Sequence, residues 1–368
     1  MVRLLYLYSG GRKRKENLLQ NFQAPSEFFY GYWELSQKNL EAAFIDVPEK
    51  SLGTISTRLL NYFYYRWQIF PLRVTGDLLI ALYRLKRKLN NCDVIVATTT
   101  GIGFSLEILR RVGVVKVPVL TIHCGVMNYS FNKPTHALTG YLLRRGFTQV
   151  FGIGELTGMR QRYMIGSDRI ELNEFGVDTK FWCPSESMKT PEYLLSVGND
   201  GRRDWDLLMR VTAELPVSVK VLTDRPPAWV PSNVEIIRGR MHSGHELPDT
   251  KLRELYRGAL GVVVPLFDTL QPSGQSVTLQ AMACAKAVVL TETKGLWNPK
   301  LLNNDENCIL VPEADAGEMK RVISRLLNEP QWRKRIGASA LETVQQHWDI
   351  GIYSNRIEAA CRRIHEPA

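Results

Sequence analysis

Pro272-Ser273-Gly274-Gln275-Ser276-Val277-Thr278-Leu279-Gln280-Ala281-Met282-Ala283-Cys284 reads as a loop of small residues opening an apolar helix, and Ala287-Val288-Val289-Leu290 follows as a buried strand. The first N–H groups of a helix lack intrahelical acceptors, and the helix dipole adds partial positive charge there. Loop, helix and strand in this order aim several N–H groups at one spot, a geometry that takes anions, most often phosphate. By itself the stretch is equally a helix cap built from small residues. Its surroundings decide between the two.

Working outward, apolar runs alternate with amphipathic stretches. Leu4–Tyr8, Ala42–Val47, Val94–Thr98, Val117–Ile122 and Val150–Ile153 read as strands in the first half, and Tyr193–Val197, Val217–Leu222, Val234–Ile237, Gly261–Pro265 and Ala287–Leu290 in the second. Thr278–Ala285, Ala316–Leu327 and Gly351–Arg363 read as helices. Strand–helix alternation twice over predicts an α/β chain of two doubly wound, Rossmann-like domains. The 368 residues suit two domains. The expected division is 1–184 and 185–350, with 351–368 a helix packing back on the first domain. Pro and polar residues cluster from Phe181 to Ser187 and mark the boundary.

Composition narrows the class. Hydrophobic residues make up 45% and charged ones 23%, which is ordinary for a globular protein. No apolar run reaches the roughly 18 residues of a membrane span, and the start lacks a signal-peptide pattern. The six cysteines, Cys92, Cys124, Cys183, Cys284, Cys308 and Cys361, form no CxxC pair, which predicts a reducing, cytoplasmic setting and no metal site. The formal charge of +10 lies wholly in the first half: residues 1–184 hold 24 Lys and Arg against 14 Asp and Glu, residues 185–368 hold 23 of each. Such asymmetry suggests a face that meets an anionic partner, with general solubility as the bland alternative. Arg58–Phe70 is rich in aromatic and basic residues. It reads either as a core helix or as an interfacial segment with Tyr and Trp at headgroup level.

Residues just past each strand are the candidate site. They are Ser9-Gly10-Gly11 before Arg12–Lys15, then His123, then Gly198 through Arg202 and Arg203, then Gly239, Arg240 and Met241, and finally the loop Ser273 to Val277. Arginine meets phosphate oxygens with paired donors, and glycine lets backbone approach. A packed strand-end histidine, surface arginines and a plain turn at Asn199–Gly201 are the structural alternatives.

These pieces resemble the retaining glycosyltransferases of the GT-B fold, in the large "glycosyl transferases group 1" family of sucrose synthases and bacterial mannosyl- and glucosyltransferases. The carrying motifs are Gly176-Val177-Asp178-Thr179 with Phe181 and Pro184, Leu195-Ser196-Val197-Gly198, Leu252 to Ala259, Leu279-Gln280-Ala281-Met282-Ala283, Gly295 with Asn304, Asn307 and Val311-Pro312, and Thr121-Ile122-His123. The resemblance implies two domains facing each other across a cleft, and a hexose moved from a UDP- or GDP-sugar to a glycan or lipid-linked acceptor without metal or cofactor. The implied catalytic residues are His123 and Arg203. Gly198, Arg202, Arg203, Gly239, Arg240, Met241, Ser273, Gly274, Gln275, Ser276, Val277 and Gln280 would hold the donor, and Gly10 and Gly11 the acceptor side. The family carries two glutamates where this chain has Pro272 and Gln280. Gln280 retains a donor and an acceptor for a ribose; Asp268 and Gln275 are the neighbours able to cover the other carboxylate. The expected setting is polysaccharide or glycolipid biosynthesis, cytoplasmic, with the basic half peripheral at the inner membrane face. A nucleotide-sugar binding protein without catalysis is the alternative. A nucleic-acid-binding protein is the lesser alternative, motivated by the basic charge, but no nucleic-acid partner is expected, since Arg12–Lys15 and Arg84–Lys88 are short and no recognised motif surrounds them.

Overall fold

The computed structural model describes residues 2–38, 40–47, 73–185, 192–239 and 247–366. The chain forms two compact units: unit 1 comprises Met1–Glu16, Phe28–Glu174 and Tyr353–Ala368, and unit 2 comprises Asn17–Glu27 and Phe175–Ile352.

Unit 1 is built on β1 (Arg3–Tyr8), β2 (Glu41–Asp46), β3 (Val94–Ala97), β4 (Val119–His123), β5 (Phe147–Val150) and β6 (Ile170–Leu172). They pair in parallel in the order β2-β1-β3-β4-β5-β6. Unit 2 is built on β7 (Tyr193–Val197), β8 (Ser218–Leu222), β9 (Val234–Ile237), β10 (Ala259–Val264), β11 (Val288–Thr291) and β12 (Ile309–Val311). These too are parallel, in the order β12-β11-β10-β7-β8-β9. Parallel strands are covered by helices on both faces and therefore read as continuous apolar runs. Leu194, Leu195, Val262, Val263, Val288 and Val289 are all at most 1% exposed.

Two strands escaped the sequence, and one was displaced. β6 and β12 have three residues each, too short for a pattern. The strand expected at Val150–Ile153 is β5, and Ile153 instead begins the helix Ile153–Tyr163. β5 carries Thr148 and Gln149 into the interior, where Gln149 donates to Glu171 at 2.7 Å and accepts from Asn173 at 3.1 Å. Polar residues that satisfy each other do not look like a strand.

The division between units falls after Glu174, earlier than the Phe181–Ser187 stretch. The linker has its own reasons to stay with unit 2. Glu27 accepts from Asp178 N at 3.2 Å and from Trp182 Nε1 at 2.7 Å. The last helix, Ile350–His365, contributes to unit 1 from Tyr353 onward, where Tyr353 O accepts from Asn173 and Arg363 pairs with Glu171.

Candidate functional site

Open parallel sheets bind ligands beyond the carboxyl ends of their strands, where the strand order reverses. That point lies between β7 and β10 in unit 2 and between β1 and β3 in unit 1. Each unit presents a site there.

In unit 2, Gly198, Arg203 and Gly274 come together. Arg203 is buried, and its Nε donates to Val197 O at 3.1 Å. A Cβ on Gly198 would lie 2.2 Å from that Nε, so only glycine leaves the guanidinium room. Gly274 sits at φ 77°, before the helix Gln275–Ala283, and a Cβ there would come 3.7 Å from Arg203 Nη1. A left-handed N-cap of this kind has no side chain to cap the first turn; Gln275 N donates to Pro272 O at 3.4 Å, and no side chain caps the N–H groups that follow it. Arg203 Nη1 lies 3.0 Å from the half-exposed Asp200 carboxylate yet makes no aligned hydrogen bond. Ser273 Oγ and Thr278 Oγ1 are likewise buried without a hydrogen-bond partner. Burial pulls the Arg203 pKa below its ordinary value, with Asp200 opposing. A desolvated guanidinium with one partly exposed counter-ion and a helix start with no side-chain cap thus lie side by side, the kind of arrangement that suits an anionic group.

The other selected residues divide. Gly239 N donates to Asp224 Oδ1 at 3.1 Å, and Asn199 links Gly239 O to the N–H of Asp224. Asn199 and Asp224 therefore fix the ends of β7, β8 and β9, a role no motif announced. Arg202 is half-buried and pinned through its backbone to Asp200 and Phe267. Gln275 is buried and Ser276 half-buried. Val277 is 1% exposed, so its side chain is core and only its backbone can serve a ligand. Asp268 is held by Lys294 at 2.6 Å, which keeps its pKa below the usual range, so its carboxylate is already engaged. Arg240, Met241 and the tract Arg58–Phe70 lie outside the described residues.

Gln280 is engaged by protein partners. Its side chain is fully buried, Oε1 accepts from Tyr256 at 3.2 Å, and Nε2 donates to Glu27 at 2.9 Å. Glu27 is fully buried and accepts from Trp182, Gln280 and the Asp178 backbone. Burial first, then Asp178, raises the Glu27 carboxyl to about 8. The pair is a structural clasp across unit 2.

In unit 1, His123 ends β4 at 2% exposure, with Nδ1 3.3 Å from Thr100 Oγ1. Burial lowers its pKa to about 3, so the ring is neutral at working pH. The turn after it is held by Glu155, which accepts from Val126 N at 2.7 Å and which burial raises to about 7. A cavity of about 240 Å³ opens at the ends of β1 to β3, lined by Ser9, Arg73, Thr75, Asp77, Thr99 and Ile102 among others. The Gly10–Gly11 turn is not a free anion site. Asp46 already accepts from the N–H groups of Arg12 and Lys13, at 3.1 and 3.0 Å, and neutralises the start of the helix Arg12–Gln20.

Comparison with known proteins follows the same lines. Residues 212–329 match the model of the family described as Glycosyl transferases group 1. The D-inositol 3-phosphate glycosyltransferase of Frankia alni is 26% identical over 211 residues, 49% of this chain and 49% of the relative. The chain thus spans about half the length of that curated relative. Among solved structures, sucrose-phosphate synthase from Thermosynechococcus elongatus is similar with a TM-score of 0.72 at 15% identity, over 99% of both chains. HepE from Anabaena, solved with UDP and glucose, is similar with a TM-score of 0.68 at 13% identity, over 98% of this chain and 99% of the other. These likenesses show the fold, two Rossmann-like domains of the GT-B class.

Proposed function

We propose that this chain, whose residues 212–329 belong to the glycosyl transferases group 1 family, is a retaining glycosyltransferase that moves a hexose from a UDP- or GDP-sugar to a glycan or lipid-linked acceptor. One observation carries the reading. A buried guanidinium and an uncapped helix start come together past the ends of β7 and β10. The leaving diphosphate gathers negative charge as the glycosidic bond breaks, and donors already in position stabilise it without reorganising. The acceptor hydroxyl attacks from the leaving-group face, and a phosphate oxygen takes its proton. No metal is needed where Arg203 and the N–H groups of Ser276 and Val277 carry the charge. His123, neutral, orients the incoming hydroxyl by a hydrogen bond rather than by acid catalysis. The cavity beside Thr99 is the acceptor's place. A thermal-shift panel of nucleotide sugars tests the donor: a ligand at about 100 times its Kd adds about 2.7 kcal/mol.

The sealed Gln280 and the proline at 272 favour one second reading, a nucleotide-sugar binder without catalysis. Donor hydrolysis separates the two, because a binder is stabilised by the donor and releases no diphosphate.

The acceptor is proposed to be reached at an anionic membrane face. Among the described residues no helix is long and apolar enough to cross a membrane. The basic run Arg84 and Lys86–Lys88 is exposed on unit 1. Each such charge near an anionic leaflet contributes about 1 kcal/mol. Full-length protein is expected to sediment with anionic vesicles at low salt, and Lys86→Glu with Arg87→Glu to weaken this at least tenfold. Equal sedimentation with neutral vesicles contradicts the membrane reading.

A further inference from the structure

Unit 2 has a second hollow, at the opposite edge of its sheet from the diphosphate pocket. It encloses about 930 Å³ where β7, β10 and β11 begin, beside Tyr193, Ala259 and Ala287. Six cations line it (Lys220, Lys251, Arg257, Lys286, Arg333 and Lys334), against two carboxylates, Glu192 and Glu254.

The inner cations are poorly compensated. Arg257 pairs with Glu254 at 2.8 Å and donates to Cys183 O at 2.9 Å. Lys286 Nζ donates to Arg257 O at 2.7 Å, and Arg333 Nη1 donates to Leu326 O. Among the described residues neither Lys286 nor Arg333 has a carboxylate within the 4.0 Å of an ion pair. Burial lowers the pKa of both, and the Arg333 charge lowers that of Lys286 further, so the two repel. Helix ends do not cancel the excess. The helices Asp249–Gly258 and Gln275–Ala283 end here, each bringing about half a negative charge, while Pro330–His347 starts here with about half a positive one. With Lys220 also paired to Glu235 at 3.8 Å, about two to three positive charges remain in a concavity whose low-dielectric walls focus their field.

We propose that this hollow is a second anion site, built for a multiply charged phosphate group. Arginine's planar fork suits two phosphate oxygens, and lysines supply point charges around it. Tyr193, Leu255 and Leu260 give it an apolar wall as well. The proposal is independent of transfer activity. The helix Gln275–Ala283 has the diphosphate pocket at its start and this hollow at its end, and nine residues separate the two by about 14 Å. The two sites therefore bind separately.

The test uses the full chain, inorganic pyrophosphate and UDP, followed by calorimetry. Lys251 and Lys334 are exposed on the rim, so Lys251→Glu with Lys334→Glu leaves the core intact. With the Arg203 site saturated by UDP, this double variant is expected to lose at least tenfold in pyrophosphate affinity, and it binds UDP within twofold of wild type. Arg203→Ala is expected to do the reverse, so failure of one site is distinguishable from failure of the other. Vesicles of phosphatidylglycerol identify the source of the phosphate. Loss of both vesicle and pyrophosphate binding in the double variant supports the site with a lipid headgroup as occupant, and loss of pyrophosphate alone supports it with a soluble phosphate. Pyrophosphate binding unchanged in the double variant, or abolished by Arg203→Ala alone, overturns the proposal.

Discussion

Arg203→Ala is expected to weaken UDP or GDP binding by about 10- to 150-fold and to leave binding of the bare nucleoside nearly unchanged. The guanidinium lies beside the uncapped helix start and, among the described residues, is the one cation brought there from those the sequence singled out. A hydrogen bond to a charged group is worth about 1.5–3 kcal/mol, which is that range of Kd. The contrast between ligands matters because the residue also packs: its Nε holds Val197 O, so some loss of stability accompanies the change. A residue acting only through the fold would weaken nucleoside and nucleoside diphosphate alike. Titration calorimetry on the four combinations reads the difference, and equal losses would move the assignment to Arg202.

Glu27→Ala is expected to destabilise unit 2 strongly. It strands Trp182 Nε1 and Gln280 Nε2 in a buried setting, and each unpaired buried donor costs about 1–3 kcal/mol. Chemical denaturation of the variant therefore shows a loss of about 2–6 kcal/mol. The clasp also sets a pH dependence. Glu27 titrates near 8 in the fold against an ordinary 4.5, so between these values the native state holds a proton that the unfolded chain has released. Stability then falls as pH rises through that window, with a slope of up to about 1.4 kcal/mol per pH unit from this group. Glu27→Gln, which is neutral throughout, is expected to flatten the slope; an unchanged slope would contradict the assignment. By the same logic Gln280→Glu, the residue found in the family, sets a second carboxylate against Glu27 and is expected to destabilise the protein above neutral pH.

His123 makes the opposite kind of prediction. A ring whose pKa burial lowers to about 3 stays neutral across the working range. The pH profile of the reaction is therefore expected to show no inflection between 5 and 7 that disappears in His123→Gln. Such an inflection would mean the ring is solvated and titrating.

How far the sequence could be read follows from where each partner lies. The central strands were legible because both faces are apolar, as in Val262-Val263-Val264 and Val288-Val289-Leu290. That Gly198, Arg203 and Gly274 would lie together was legible because all three sit just past strand ends that the sheet brings side by side. The partner of Gln280 was not legible because Glu27 is 253 positions away, and no local pattern reveals that clasp. The Gly10–Gly11 turn misled for a like reason: Asp46, which neutralises the helix behind it, arrives from the neighbouring strand. Glu155 announced itself only as an acid in the first turn of a helix, while its work is to hold the turn after His123. The basic hollow at the far edge of unit 2 gathers residues from Lys220 to Lys334, in a half whose net charge is zero, so composition concealed it.

The most direct test is release of nucleoside diphosphate from a panel of UDP- and GDP-sugars by the full-length protein, with Arg203→Ala alongside. The account predicts that one donor raises the melting temperature and is turned over, that the freed or transferred sugar keeps its anomeric configuration by NMR, and that Arg203→Ala loses most of the release. Contradiction would be a protein that neither binds nor cleaves any member of the panel, or one whose release is untouched by loss of Arg203.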